Sequence, residues 1–193
     1  VAYGYDMAVL AGDALFIYAI ETASRAFAMT AHADRVGRCI GILAEKTGIY
    51  GMIGGQTVDV ELTNQPVSRE QLDFIYQLKT GALLEASMMI GAVLAGASKE
   101  ELQTVERIAA NVGLAFQIQD DILDVVGDEA TLGKPIGSDV RSDKTTFVAL
   151  KGLADCRILV AELTDRAVEA LAPFGSEAES LRGLAQSLAG RGK

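Results

Sequence analysis

The sequence has no tryptophan, one histidine, two cysteines and three prolines among its 193 residues. Zinc sites with two histidines, and the Glu-x-x-His pairs of di-iron bundles, need more imidazole than His32 supplies. Cys39 and Cys156 lie far apart, outside any metal-binding spacing, so we interpret them as buried thiols of a reducing compartment. The small numbers of histidines and cysteines exclude a soft-metal centre and a fold held together by disulfide bonds.

Basic residues are also scarce, since 17 lysines and arginines face 26 aspartates and glutamates, for a net charge of −9. No basic patch stands out, so we expect neither a nucleic acid nor an anionic membrane surface as a partner. Because 50% of the residues are hydrophobic, a disordered chain is excluded. An acidic protein of this kind still binds a phosphorylated ligand when divalent cations accompany it.

Helical periodicity dominates the chain, and no stretch shows the two-residue alternation of a half-buried strand. We therefore predict an all-α fold in which residues 1–193 form one domain of packed helices. The apolar stretch from Thr80 to Ala97 is nearly long enough to span a membrane, but it contains Glu85 and several small residues. We interpret it as a buried helix and expect no membrane span.

Several helix boundaries can be predicted from local signals. Ser68 and Ser98 are expected N-caps, and Ser98 forms a capping box with Glu101. The helix after Ser98 is expected to run to Val126 and to end at Gly127.

Glycines predict the other boundaries. A helix from Arg35 is expected to end at the Gly54–Gly55 pair, and a junction between two helices is expected at Lys79–Gly81. Three closing helices are predicted at residues 144–154, 157–171 and 177–188.

Carboxylates are concentrated at the end of the long helix. On a helix, Gln117, Asp121, Asp124 and Asp128 form one stripe, and Asp120 lies beside it. Like charges at this spacing, close to a helix C-terminus, are destabilising, so a bound dication would compensate them. Oxygen ligands without histidine or cysteine favour Mg²⁺, with Mn²⁺ as the alternative. An acidic, solvated helix end is the other interpretation of this pattern.

The segment after this helix carries Lys134 beside Gly133, and then Lys144. Lys79 and Thr80 lie at another predicted helix junction. Glycine lets the backbone approach an anion, and lysine supplies a point charge for phosphate. Each lysine alone is typical of a solvated surface, but together with the carboxylates they predict a diphosphate site.

Five segments occur in an order and spacing that resemble one family, the trans-isoprenyl diphosphate synthases that make geranyl, farnesyl and geranylgeranyl diphosphate. DDILD is similar to the second aspartate-rich motif of that family. The segments are AVLAGDAL (8–15), GGQTVD (54–59), LKTGALL (78–84), GLAFQIQDDILD (113–124) and GKPIGSDVRSDKTTF (133–147).

The resemblance implies a transferase of isoprenoid biosynthesis. Such an enzyme ionises an allylic diphosphate with the help of Mg²⁺, and the double bond of isopentenyl diphosphate attacks the carbocation. Loss of a proton leaves a longer trans-polyprenyl diphosphate, farnesyl or geranylgeranyl. The resemblance also implies an all-helical bundle around a deep central cavity, a homodimer and a cytoplasmic location.

By the same resemblance, Asp120 would ligate Mg²⁺, with Asp121 and Asp124 completing the cluster mainly through metal-bound water. Lys79, Lys134 and Lys144 would hold the allylic diphosphate.

Thr80 and Gln117 would line the catalytic site near the carbocation, where their oxygens favour developing positive charge. By the same resemblance, Gln56 and Asp59 belong to a further motif of the family.

The first aspartate-rich motif of the family, and the basic residues that bind isopentenyl diphosphate, would precede Val1. We therefore expect these 193 residues to be inactive alone. Two alternatives stay open from the sequence: a non-catalytic partner subunit of a prenyltransferase, and a class I terpene cyclase.

Overall fold

A computed structural model describes residues 3–127 and 145–190, and it confirms the all-α fold class, since these residues contain no strand. Two short 3₁₀ segments, Arg25–Ala28 and Ala172–Ala178, and one turn of π-helix, Gln77–Gly81, accompany the α-helices. The α-helices are α1 (Gly4–Ser24), α2 (Ala33–Thr47), α3 (Met52–Glu61), α4 (Arg69–Tyr76), α5 (Ala82–Ala95), α6 (Lys99–Val126), α7 (Phe147–Lys151), α8 (Leu153–Ala170) and α9 (Glu179–Ala189).

The 28-residue helix α6 lies at the centre of the described bundle and packs mainly against α5 and α8. Its buried apolar side chains recur every three or four residues, which places one face of the helix in the core. One core cluster joins α4, α6, α7 and α8, and a second joins α6, α8 and α9. Residues of this buried face include Val105, Ile108, Val112, Ala115, Ile118 and Ile122.

The structure confirms both predicted N-caps. The Ser98 hydroxyl accepts the Glu101 N–H at 3.1 Å, and the Glu101 carboxylate accepts the Ser98 N–H at 2.7 Å. Ser68 forms the same reciprocal pair with Gln71. The predicted end of α6 at Val126 is also confirmed.

The predicted helix end at Gly54–Gly55 is wrong. Helix α2 ends at Thr47, and both glycines lie inside α3. A Cβ atom on Gly55 would lie only 2.5 Å from the backbone nitrogen of Lys79. The missing side chain of Gly55 therefore allows α3 to pack closely against the segment that contains Lys79. No local signal distinguishes a glycine with this role from a glycine that ends a helix.

The predicted junction at Lys79–Gly81 is not a break between helices, because the π-helical turn joins α4 to α5 directly. Gly113 of α6 packs against this turn, and a Cβ there would lie 3.1 Å from the Cα of Gly81. Gly55 and Gly113 thus allow α3 and α6 to pack closely against the π-helical turn. Single π-helical turns inside α-helices are frequent at functional sites.

The closing helices differ from their predicted bounds. The predicted helix 144–154 is a five-residue α7, and Gly152, with φ of +83°, lies between it and α8. Helix α8 therefore begins at Leu153, and α9 begins at Glu179 after the 3₁₀ segment that contains Pro173. Both cysteines are buried and free, as predicted.

Two segments are long and apolar enough, by composition, to cross a membrane, namely 4–28 and 69–95. Within the second, Ala82, Ala86, Met89 and Val93 are buried, as expected of a core helix. No residue of α1 is buried, and its large apolar side chains are exposed.

Candidate active site

A pocket of about 130 Å³ opens between α3, α4, the π-helical turn, α6 and the two residues before α7. Four residues of the predicted site, Lys79, Thr80, Gln117 and Asp121, line it together. Its other lining residues are Asp59, Leu62, Thr63, Val67, Leu72, Ile75, Tyr76, Thr145 and Thr146. The structure thus brings polar groups from all five of these elements to one place.

Lys79 is paired inside this pocket. Its ammonium group donates to Oδ2 of Asp59 at 2.6 Å, and the side chains are 35% and 17% exposed. Asp59 lies on α3, which Gly55 holds close to the Lys79 backbone. Because an ammonium group has three donors, Lys79 can bind a phosphate oxygen and still keep its bond to Asp59.

The carboxylate of Asp121 accepts hydrogen bonds from protein groups. The residue is buried, with 3% of its surface exposed. The hydroxyl of Tyr76 donates to both carboxylate oxygens at 2.8 Å, and the backbone N–H of Phe147 donates to Oδ2 at 2.9 Å. Asp121 therefore joins α6 to the last residue of α4 and to the first residue of α7.

The three aspartates of DDILD differ in burial, since Asp120 is half-buried whereas Asp121 and Asp124 are each 3% exposed. Their oxygen donors fit Mg²⁺ in chemical type. Within the described ranges, no three Asp, Glu, His or Cys side chains form a group that could hold a metal. Because Mg²⁺ is usually held by one or two carboxylates plus substrate phosphates, the site fits the ion with a diphosphate present. The ligand assignment stays a prediction.

Three residues of the predicted site, Asp128, Lys134 and Lys144, lie outside the described residues. Gln56 lies exposed on α3. Asp120 and Asp124 are not among the described residues that line the pocket.

Sequence reasoning missed Tyr76 and Phe147. A buried tyrosine usually finds a hydrogen-bond partner, and Tyr76 shares one helix face with Leu72 and Ile75, so this spacing was a signal. The partner itself could not be found, because it lies 45 residues away along the chain.

Comparisons with known proteins identify the relatives of this chain. The model of the polyprenyl synthetase family matches residues 1–171. A dimethylallyltranstransferase of Fischerella ambigua is 44% identical over 184 residues, which is 95% of this chain and 53% of the relative. A chloroplastic geranylgeranyl pyrophosphate synthase of Capsicum annuum is 41% identical over 191 residues, which is 98% of this chain and 52% of the relative.

Among solved structures, a geranyltransferase of Helicobacter pylori in complex with magnesium and isoprenyl diphosphate superposes with a TM-score of 0.81 at 34% identity. The match covers 97% of this chain and 60% of that one. The chain spans about half the length of the two curated relatives. With the family match over most of its length, the chain belongs to the polyprenyl synthetase family.

Proposed function

We propose that this protein is a Mg²⁺-dependent prenyltransferase that condenses an allylic diphosphate with isopentenyl diphosphate. The product would be a longer trans-polyprenyl diphosphate, farnesyl or geranylgeranyl. Membership of the polyprenyl synthetase family and the names of the relatives support this activity. The observation that carries the proposal is the pocket that joins Lys79, Thr80 and Gln117.

Each of these side chains has a role in the proposal. Lys79, with Lys134 and Lys144, holds the allylic diphosphate through charge-assisted hydrogen bonds. Thr80 and Gln117 place their oxygens beside the carbon that loses the diphosphate, where they favour positive charge.

The metal in this proposal is Mg²⁺, with Mn²⁺ as an alternative ion. Asp120 would ligate it, with Asp121 and Asp124 contributing mainly through bound water. When bound, the ion neutralises charge on the departing diphosphate. A relative from Helicobacter pylori, whose structure holds magnesium and isoprenyl diphosphate, supports this choice.

Calorimetric titration of the protein with inorganic diphosphate in the presence of Mg²⁺ tests the site. Asp120→Ala should weaken Mg²⁺-dependent binding about tenfold or more, because it removes a metal ligand. Asp34→Ala, an exposed aspartate on α2, is the matched control and should bind as the wild type does. A smaller loss in Asp120→Ala contradicts the metal assignment.

We also propose that the protein is a homodimer in a reducing, cytoplasmic location. The exposed apolar surface of α1 supports the dimer. The two free, buried cysteines support the reducing compartment.

A further inference from the structure

A hydrogen-bonded junction lies at the wall of the pocket, formed by the Tyr76 hydroxyl, the Asp121 carboxylate and the Phe147 N–H. Each of the three residues is buried, at 9%, 3% and 0% exposure respectively. Burying a carboxylate is costly unless donors replace its lost water. Tyr76 and Phe147 supply such donors, so the side chain of Asp121 is fixed by protein groups.

The ring of Phe147 strengthens this junction. Its centroid lies 5.2 Å from that of the Tyr76 ring, with the planes tilted by 44°. The guanidinium group of Arg69 lies 4.9 Å from the same Phe147 centroid. Phe147 is thus held by its backbone N–H and by two contacts of its ring, which together restrict the start of α7.

The junction connects two segments that line the pocket. Tyr76 is the last residue of α4 and directly precedes the π-helical turn that carries Lys79 and Thr80. Phe147 is the first residue of α7 and directly follows Thr145–Thr146. A shift of either partner therefore moves one wall of the pocket relative to the other.

We infer that Tyr76 and Asp121 are positioning residues, which set the distance between the Lys79–Thr80 turn and the Thr145–Thr146 segment for a bound diphosphate. The inference rests on the proposed function, because it takes diphosphate as the ligand of this pocket. In this inference Asp121 acts by positioning the pocket walls through its hydrogen bonds with Tyr76 and Phe147, and not only by binding the metal.

The first test is a pair of conservative variants. Tyr76→Phe removes only the hydroxyl, and Asp121→Asn keeps the shape of the side chain but replaces one acceptor oxygen by an amide. At saturating Mg²⁺, each variant should weaken calorimetric binding of inorganic diphosphate about three- to tenfold. Tyr50→Phe, at a tyrosine that is 82% exposed, is the matched control and should bind as the wild type does.

The double variant separates the two roles of Asp121. If both residues act through one junction, Tyr76→Phe/Asp121→Asn should bind diphosphate no more weakly than the weaker single variant. If Asp121 acts only as a metal ligand, the fold-losses in diphosphate affinity of the two single variants should multiply in the double variant. In that case Asp121→Asn should need more Mg²⁺ for half-maximal binding, while Tyr76→Phe should not. Multiplying losses, or wild-type affinity in Tyr76→Phe, would overturn the inference.

Deuterium uptake by residues 145–151 supplies a readout that needs no ligand. Both single variants should exchange faster in this segment than the wild type and the Tyr50→Phe control, because the start of α7 loses its anchor. Unchanged uptake in both variants would overturn the junction even if diphosphate binds. Failure of the wild type to bind diphosphate would count against the proposed function, so the two failures are distinguishable.

Discussion

At the residue scale, Lys79 and Asp59 form the charged centre of the pocket. Their 2.6 Å contact joins two partly buried groups, so it is shielded from solvent more than a surface ion pair. The pair fixes the long lysine side chain before any ligand arrives. Less side-chain entropy is then lost when a diphosphate binds.

Lys79→Met should therefore reduce affinity for inorganic diphosphate by about tenfold to a hundredfold, since a charge-assisted hydrogen bond is lost. Isothermal calorimetry at constant ionic strength measures the change. Lys99→Met removes an exposed lysine at the start of α6 and serves as the matched control. Equal affinities in Lys79→Met and Lys99→Met would exclude Lys79 from the diphosphate site.

At the element scale, the pocket depends on close helix packing around the π-helical turn. Gly55 on α3 and Gly113 on α6 face this turn from two helices, and neither position has space for a larger side chain without a shift. The packing fixes the backbone of Lys79 and Thr80. A rigid backbone of this kind is what a binding site needs if its donors are to be preorganised.

Gly55→Ala should lower the free energy of unfolding by about 1–3 kcal/mol, because its Cβ would clash with the Lys79 backbone. It should also weaken diphosphate binding. Gly91→Ala, at a helical glycine of α5 with nothing within 4 Å, should be neutral or stabilising by about 0.5–1 kcal/mol. Urea unfolding of both variants measures the contrast, and equal stabilities would contradict the packing role of Gly55.

At the same scale, a network of two ion pairs joins α2, α5 and α6. The ammonium group of Lys46 donates to Glu85 at 2.5 Å and to Glu106 at 2.8 Å. Burial lowers the pKa of Lys46, but its hydrogen bonds with Glu106 and Glu85, together with their charges, outweigh burial and raise that pKa above 10.5. The group therefore stabilises the folded state below pH 10.5, and this stabilisation is lost as pH rises through the raised pKa.

Lys46→Met should cost about 3 kcal/mol at neutral pH, since it leaves the buried Glu85 without its cation. The difference in urea unfolding between the wild type and Lys46→Met should narrow above pH 10.5. Adding Glu85→Leu should restore part of the loss at neutral pH, because apolar replacements of a buried pair are often tolerated. If the difference in unfolding free energy between the two proteins stays constant from pH 7 to well above pH 10.5, the stabilisation does not depend on the charge of Lys46.

Local signals explain what the sequence predicted at this scale and what it missed. Both N-caps, the capping box of Ser98 with Glu101 and the end of α6 depend on residues within a few positions, and the sequence predicts all of them. The role of Gly55 depends on Lys79, which is its neighbour in space but not along the chain, so local signals predict a helix end there instead. Likewise, the periodicity placed Asp121 on a helix face, but its partners Tyr76 and Phe147 lie 45 and 26 residues away.

At the scale of the whole molecule, α1 differs from the other described α-helices in having no buried residue, although it carries many large apolar side chains. Leu15 and Ile17 are 69% and 70% exposed. Exposed apolar side chains in such number are typical of an interface with another protein chain.

Leu15→Glu/Ile17→Glu should therefore convert the proposed dimer into a monomer, because charges at a dry interface are costly. Sedimentation velocity at several protein concentrations measures the mass. Leu184→Glu, at a 53% exposed leucine of α9, should leave the dimer intact. A wild-type protein that is monomeric at every concentration would contradict the proposed assembly.

The central prediction is that the pocket around Lys79 supports prenyl transfer, and turnover by a chimera tests it most directly. In the chimera, the present chain replaces the matching segment of the Fischerella ambigua relative, and the rest of that relative is kept. With dimethylallyl diphosphate, labelled isopentenyl diphosphate and Mg²⁺, it should form labelled farnesyl or geranylgeranyl diphosphate. Lys79→Met should lower the rate about tenfold or more, and Lys99→Met should not. A folded chimera that makes no labelled product, or that keeps its full rate in Lys79→Met, would contradict the central claim.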